Sequence, residues 1–145
     1  MNAAATTGRD NTDVLPARPR VLLVDDNEAM LTRAALILQR TCTIVGSVKD
    51  GRSALTAAAE SSPDVIVLDI SMPAMNGFEV ASALRAAHST AAVVFLTVHE
   101  EDDFYSVAQQ AGGLGYVFKR RLVTDLPEAI VAAIAGRTFT SPRRR

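Results

Sequence analysis

Short apolar runs recur along the chain, and each is bounded by polar or turn-forming residues. They cover residues 20–24, 43–48, 64–69, 92–96 and 116–118 and are rich in Val, Ile and Leu. Apolar runs of this length between turn signals are typical of fully buried strands in a parallel sheet that is covered on both faces. The pattern therefore predicts five buried strands.

The segments between these runs have helical periodicity. Residues 27–40 carry apolar side chains at Met30, Leu31, Ala34, Ala35 and Leu38, which is the spacing of an amphipathic helix. Further helices are predicted over residues 51–60, 76–87, 100–111 and 125–135, with N-terminal caps at Asp50, at Asn76 with Glu79, and at Asp125 with Glu128. Acidic residues 100–103 suit a helix N-terminus, and Gly136 ends the last helix.

Strict alternation of strands and helices indicates an α/β fold. Such alternation gives a doubly wound parallel sheet with helices on both faces. We expect one such domain over residues 20–136, after a disordered leader at residues 1–19 that lacks apolar periodicity. Residues 137–145 are expected to be a tail, or the stub of a linker.

Composition and charge argue against several classes of protein. The 145 residues contain 15 basic and 16 acidic side chains, which argues against a broad nucleic-acid-binding surface. The single cysteine, Cys42, excludes an internal disulfide framework. The apolar runs are too short to span a membrane, and no signal-peptide core is visible. We expect a soluble cytoplasmic protein.

Chemically active side chains stand where four of the predicted strands end. They are Asp25 and Asp26, Asp69, Thr97 and Lys119. Because the carboxyl ends of parallel strands meet at one edge of a sheet, these side chains should converge there. Three neighbouring carboxylates need a cation at neutral pH, and a set of oxygen ligands favours Mg²⁺ over zinc.

A lysine and a hydroxyl beside an acidic metal site are matched to a phosphoryl group. Lys119 can neutralise phosphoryl oxygens, and Thr97 can donate a hydrogen bond to one of them. A carboxylate can itself attack phosphorus to give an aspartyl phosphate. Asp69, central in the predicted sheet, is the candidate nucleophile.

These motifs together resemble the receiver domain of bacterial two-component response regulators. The residues that carry the resemblance are Asp25-Asp26, Asp69-Ile70-Ser71-Met72-Pro73, Thr97, and Gly115-Tyr116-Val117-Phe118-Lys119. The chain looks closest to the NarL/LuxR-type, FixJ-like subfamily. The resemblance implies a flavodoxin-like, CheY-like sheet of five strands in the order 2-1-3-4-5.

The resemblance also implies roles for individual residues. Asp69 would accept a phosphoryl group from a sensor histidine kinase or phosphotransfer protein. Asp26, Asp69 and the Ser71 backbone carbonyl would bind Mg²⁺ directly, and Asp25 would act mainly through water. Lys119 would pair with the phosphoryl group.

The switch to the active state would use Thr97 and Tyr116. Thr97 would move toward the phosphoryl group while the Tyr116 ring turns inward behind it. The surface of the fourth helix, fifth strand and fifth helix would then change and signal to a partner.

Some positions depart from common family patterns. Val98 is larger than the residue often found after the switch threonine and could hinder phosphodonor access. Ser71 and His99 occupy positions that tune the hydrolysis rate in the family. Arg120 follows Lys119, so the cis X-Pro bond often found there is not available.

Two other function classes lack residues that they require. A haloacid-dehalogenase-like phosphohydrolase would need a second Asp two residues after its nucleophile, where this chain has Ser71. A flavodoxin-like nucleotide or flavin binder would need a Gly-rich phosphate loop after the first strand, where this chain has Asp25 and Asp26. We therefore expect a signalling domain whose only reactions are its own phosphorylation and dephosphorylation.

The output is left open by the sequence. The chain could act alone through protein contacts, with dimerisation possible, or it could be a receiver fragment of a LuxR/NarL-type transcriptional regulator. No recognition helix for DNA is present, so direct nucleic-acid binding by this chain is not expected.

Overall fold

The computed structural model describes residues 18–143 and forms one parallel sheet with helices on both faces. The strands are β1 (Arg20–Val24), β2 (Thr43–Val48), β3 (Val65–Asp69), β4 (Ala92–Thr97), β5 (Gly115–Phe118) and β6 (Phe139–Thr140). The helices are α1 (Glu28–Leu38), α2 (Gly51–Ser61), α3 (Gly77–Ala86), α4 (Asp102–Gln110) and α5 (Leu122–Ile134). A short 3-10 turn, Lys119–Arg121, joins β5 to α5. The predicted α/β class is confirmed.

The strand order is β2-β1-β3-β4-β5-β6, and every neighbouring pair is parallel. The first five strands stand in the expected order. The expected total of five strands was wrong, because β6 adds a sixth strand to the outer edge of β5. A strand of two residues is too short to show alternation, so only its pairing with β5 defines it.

The core has two layers, one on each face of the sheet. Side chains of β1, β3, β4 and β5 that point to one face pack against α1 and α5, and those that point to the other face pack against α2, α3 and α4. All five residues of β3 are buried. Burial of the central strands on both faces explains their continuous apolar runs.

Most helices begin where the sequence predicts. Asn27 caps α1 by accepting a hydrogen bond from the Met30 N–H, and Asp50 caps α2 in the same way through Ser53. Asn76 and the side chain of the third helical residue form a reciprocal capping box on α3. Side-chain oxygens thus satisfy backbone donors that have no partner within the helix.

The start of α5 differs from the prediction. The helix begins at Leu122, so Asp125 lies in its first turn rather than at its cap. Its carboxylate is buried and accepts hydrogen bonds from Arg121 at 2.6 and 3.2 Å. The pairing of Asp125 with Glu128, three residues on, suggested a later start, because this spacing resembles a capping box. The ion pair with Arg121, four residues earlier, and a hydrogen bond from the distant Ser141 therefore hold a residue that the sequence pattern assigned to a local cap.

The ends of the chain lie partly outside the described residues. The leader expected at residues 1–19 is described only for residues 18 and 19, and the tail expected at residues 137–145 only up to residue 143. Between residues 18 and 143, no helix has the length and apolar character needed to cross a bilayer.

Candidate functional site

Three carboxylates meet at the carboxyl ends of β1 and β3. Asp25 and Asp26 follow β1, and Asp69 ends β3, its neighbour in the sheet. One oxygen from each lies within 4.8 Å of the others. Asp25 and Asp69 are buried, at 2% and 4% exposure, whereas Asp26 is exposed. The structure therefore brings together the acidic residues that the sequence singled out.

Lys119 contributes the positive charge at this edge. It follows β5, and its Nζ lies 3.0 Å from Asp25 Oδ2 and 3.4 Å from Asp69 Oδ1. One ammonium group thus contacts two buried carboxylates. With Asp26 nearby, the group of four side chains carries an excess of negative charge whenever all three carboxylates are ionised.

The pKa of Asp69 reflects this excess of negative charge. Burial, followed by the charge of Asp25, raises the pKa of Asp69 to about 7, and the opposing effect of Lys119 does not cancel the increase. Burial lowers the pKa of Lys119, but hydrogen bonding and charge from Asp25 and Asp69 outweigh burial and raise it. Lys119 therefore stays charged, and Asp69 is a carboxylate whose ionisation an added cation would favour.

Thr97, at the end of β4, and Tyr116, on β5, are joined through the backbone of His99. Thr97 ends β4 and is buried, and its Oγ1 accepts a hydrogen bond of 3.0 Å from the His99 N–H. The buried Tyr116 on β5 donates its hydroxyl hydrogen to the His99 carbonyl at 2.9 Å. The two predicted switch residues thus form hydrogen bonds with the N–H and the carbonyl of the same residue.

Ser71 and the His99 side chain form a second link across the site. The Ser71 N–H donates to Asp69 Oδ1 at 3.3 Å, and Ser71 Oγ lies 2.7 Å from His99 Nε2. The His99 ring stacks on Phe104 of α4, with ring centroids 4.0 Å apart and planes 2° from parallel. Val98, between Thr97 and His99, is 66% exposed.

Sequence reasoning missed several contacts around the site. Arg120 forms a bidentate pair with Glu100, at 2.6 and 2.9 Å, which joins the loop after β4 to the turn after β5. The stack of His99 on Phe104 was also missed. The opposite charges of Glu100 and Arg120, each just beyond a strand end, were the available signal for the first of these contacts.

The donor set of the acidic group fits a hard divalent cation. It consists of carboxylate oxygens from Asp25, Asp26 and Asp69, without nitrogen or sulfur donors among these residues. The raised pKa of Asp69 means that positive charge placed there would stabilise its ionised form. The group could therefore bind a metal ion.

Comparison with known proteins identifies the family to which this sequence is similar. Residues 21–131 match the family model of the response regulator receiver domain. The response regulator GacA of Pseudomonas viridiflava is 35% identical over 126 residues, which are 86% of this chain and 59% of that protein. The probable transcriptional regulatory protein NarL of Mycobacterium tuberculosis is 31% identical over 129 residues, which are 88% of this chain and 60% of that protein.

Solved structures agree in fold. The receiver domain of NarL from Mycobacterium tuberculosis superposes with a TM-score of 0.76 at 29% identity and covers 84% of this chain and 100% of its own. A LuxR-family two-component response regulator from Aurantimonas sp. SI85-9A1 gives a TM-score of 0.81 at 31% identity, with 87% and 91% covered. This chain spans about three fifths of the length of the curated relatives that it matches. It belongs to the family of response regulator receiver domains.

Proposed function

We propose that this chain is a phosphorylation-controlled receiver that accepts a phosphoryl group on Asp69. The observation that carries the proposal is the buried Asp69 carboxylate with the Lys119 ammonium 3.4 Å away and two further carboxylates beside it. The donor would be a phosphohistidine on a sensor kinase or a phosphotransfer protein. The chain would signal rather than turn over a separate substrate.

In the proposed reaction, an ionised oxygen of Asp69 attacks phosphorus. The bond from phosphorus to the imidazole nitrogen of the donor breaks, and that nitrogen keeps the electron pair. Lys119 holds positive charge against the phosphoryl oxygens in the transition state, which is where a fixed charge lowers the barrier most. The product is a mixed anhydride between the Asp69 carboxylate and phosphate.

We propose Mg²⁺ as the cation of this site. Asp26, Asp69 and the backbone carbonyl of Ser71 would hold it directly, and Asp25 would hold it mainly through water. When bound, Mg²⁺ supplies positive charge that favours the ionised carboxylates and screens the phosphoryl oxygens.

Thr97 and Tyr116 are the proposed switch pair. The Thr97 hydroxyl would donate to a phosphoryl oxygen, and its present acceptor contact with the His99 N–H leaves the hydroxyl hydrogen free to do so. The Tyr116 ring already lies inward, with its hydroxyl on the His99 carbonyl. The β4–α4 loop would therefore respond to events at Asp69 and at Tyr116 together.

Ser71, His99 and Val98 are proposed to tune the rates of phosphorylation and hydrolysis. The Ser71–His99 contact lies directly beside Asp69. Water that approaches the acyl phosphate from this side would meet both side chains.

The output belongs to the whole protein and is also a proposal. We propose a downstream protein effector, with homodimerisation possible, and a cytoplasmic location. A second candidate is control of transcription through a DNA-binding region outside this chain. Two observations support it: NarL is named a probable transcriptional regulatory protein, and both NarL and GacA are longer than this chain.

The first experiment measures intact mass after incubation with Mg²⁺ and acetyl phosphate. We expect the wild type to gain one phosphoryl group and Asp69→Asn to gain none. Asp64→Asn, which changes an aspartate at the opposite end of β3, is the matched control and should be labelled like the wild type. Labelling of Asp69→Asn would reject Asp69 as the acceptor, and an unlabelled wild type would reject the proposed function.

A further inference from the structure

A segment after α5 lies along the outer edge of β5. We call residues 138–143 the C-terminal strap. The Phe139 N–H donates to the Leu114 carbonyl at 2.9 Å, and the Ser141 N–H donates to the Tyr116 carbonyl at 2.9 Å. The strap therefore satisfies backbone acceptors in β5 and just before it that an open sheet edge would leave to water.

Ser141 anchors the strap to α5. It is 1% exposed, its hydroxyl donates to Asp125 Oδ2 at 2.7 Å, and its Oγ accepts a hydrogen bond from the Phe118 N–H at 3.1 Å. Burial raises the pKa of Asp125, but hydrogen bonds from Arg121, Ser141 and Thr124 outweigh burial and lower it. The Ser141 hydroxyl therefore donates to a carboxylate that stays ionised, which is a strong hydrogen bond.

Arg120 connects the strap to the β4–α4 loop. Its guanidinium binds Glu100 in the loop, and its Nη2 also donates to the Pro142 carbonyl at 3.3 Å. Arg143 pairs with Asp102 in the first turn of α4. Motion of the loop or of α4 would therefore change contacts of the strap.

Tyr105 connects the strap to Tyr116. The Thr140 hydroxyl lies 3.5 Å from the Tyr105 hydroxyl, and the Tyr105 ring packs edge-on against the Tyr116 ring with centroids 5.4 Å apart. Tyr105, Tyr116, Phe139 and Thr140 all line one small cleft between α4, β5 and the strap. An outward rotation of the Tyr116 ring into this cleft would meet the side chains that the strap holds in place.

We propose that the C-terminal strap is a lock that holds Tyr116 inward and that its docking is coupled to phosphorylation of Asp69. This inference rests on the proposed function, in which the inward ring belongs to the phosphorylated state. Phosphorylation then tightens the docked strap, and the docked strap strengthens binding of a phosphoryl group or its mimic. The two effects must be equal, because coupling between two equilibria is reciprocal.

The test measures hydrogen exchange of the Phe139 and Ser141 amides, whose N–H groups form the strap's bonds to β5. We expect exchange in the wild type to slow at least about fivefold when Mg²⁺ and beryllofluoride, a phosphoryl mimic, are added. Ser141→Ala should remove this protection. It should also weaken the binding of beryllofluoride by a similar factor, which fluorine NMR measures. Thr138→Ala, which removes an exposed hydroxyl from the same segment, is the matched control and should behave like the wild type.

A second variant keeps the test valid if Ser141→Ala does not fold. Arg143→Gln removes the contact with Asp102 at the exposed end of the strap, so it should fold and show a smaller change in the same direction. Unchanged exchange in a wild type that mass spectrometry shows to be phosphorylated would overturn the lock and leave the proposed function intact. Equal beryllofluoride affinity in Ser141→Ala and Thr138→Ala would also overturn it. A wild type that takes no phosphoryl group would overturn both proposals.

Discussion

Two buried aspartates near the same edge of the sheet have opposite electrostatic environments. Burial raises the pKa of both Asp69 and Asp125. At Asp125, hydrogen bonds led by a bidentate Arg121 reverse the effect, whereas at Asp69 the charge of Asp25 adds to it and Lys119 only partly opposes it. The charge of Asp125 is balanced by its hydrogen-bond partners, and its role is structural. Asp69 lacks sufficient positive charge, which is the condition expected of a site that takes a cation and a phosphoryl group.

The contribution of Lys119 can be tested directly. Lys119→Ala removes the cation that faces both Asp25 and Asp69, so we expect phosphorylation by acetyl phosphate to slow by about 100-fold, the usual effect of losing one fixed transition-state donor. Initial rates by intact mass are the measurement. Lys49→Ala, which removes an exposed lysine paired with Glu28, is the control and should leave the rate unchanged. Equal rates in the two variants would exclude a role for Lys119 at the phosphoryl group.

At the scale of single residues, the sequence was sufficient to predict which charged groups lie at the strand ends. Asp25, Asp69 and Lys119 were found because strand ends can be read from apolar runs and parallel strands align their ends. The contacts of His99 with Ser71 and Phe104 could not be predicted, because they depend on how the loops after β3 and β4 lie against α4.

Among the elements, α3 begins in tight contact with the end of β3. A Cβ on Gly77 would lie 2.3 Å from the Asp69 backbone oxygen and 2.9 Å from the Ile70 Cα. The Gly77 N–H also donates to the Ile70 carbonyl at 2.8 Å. The start of α3 is therefore fitted against the end of the strand that carries the candidate nucleophile.

Gly77→Ala should damage stability and site together. The new methyl group would meet rigid backbone, so α3 or the end of β3 must shift, and we expect a loss of about 2 kcal/mol of unfolding free energy. Urea unfolding measures this loss, and phosphorylation should slow in the same variant. Gly46→Ala is the control, because its Cβ would meet only the end of the Leu22 side chain, at 3.0 Å. An equal loss in both variants would count against a special fit at Gly77.

Element boundaries were predictable where local chemistry sets them. The capping box on α3 and the caps of α1 and α2 are encoded within a few residues. The start of α5 and the existence of β6 depend on partners far away in sequence. Asp125 pairs with Ser141, sixteen residues on, and Phe139 pairs with Gly115 across the sheet edge, so neither could be read from a local pattern.

For the whole molecule, the same buried carboxylates that would serve the chemistry of the site also lower the stability of the fold. Uncompensated carboxylates oppose folding when they are ionised, because burial and mutual repulsion favour the protonated form. A folded-state pKa of about 7 for Asp69, above the ordinary value of 3.8, means that the folded state binds this proton more tightly than the unfolded state. Stability should therefore fall as pH rises from about 4 to about 7.

This pH dependence gives a prediction about unfolding. Without divalent metal, the wild type should lose unfolding free energy between pH 5 and pH 8, by at most about 3 kcal/mol, because about two pH units of this range lie below the folded-state pKa of Asp69. Asp69→Asn carries no proton to lose and should show a flatter profile, so it should be the more stable protein at pH 8. Urea unfolding in EDTA measures both profiles. Mg²⁺ added at pH 8 should stabilise the wild type more than Asp69→Asn, because only the wild type keeps the full set of carboxylates. Parallel profiles for the two proteins in EDTA would mean that Lys119 alone compensates the charge of Asp69, and the case for a cation at this site would then be lost.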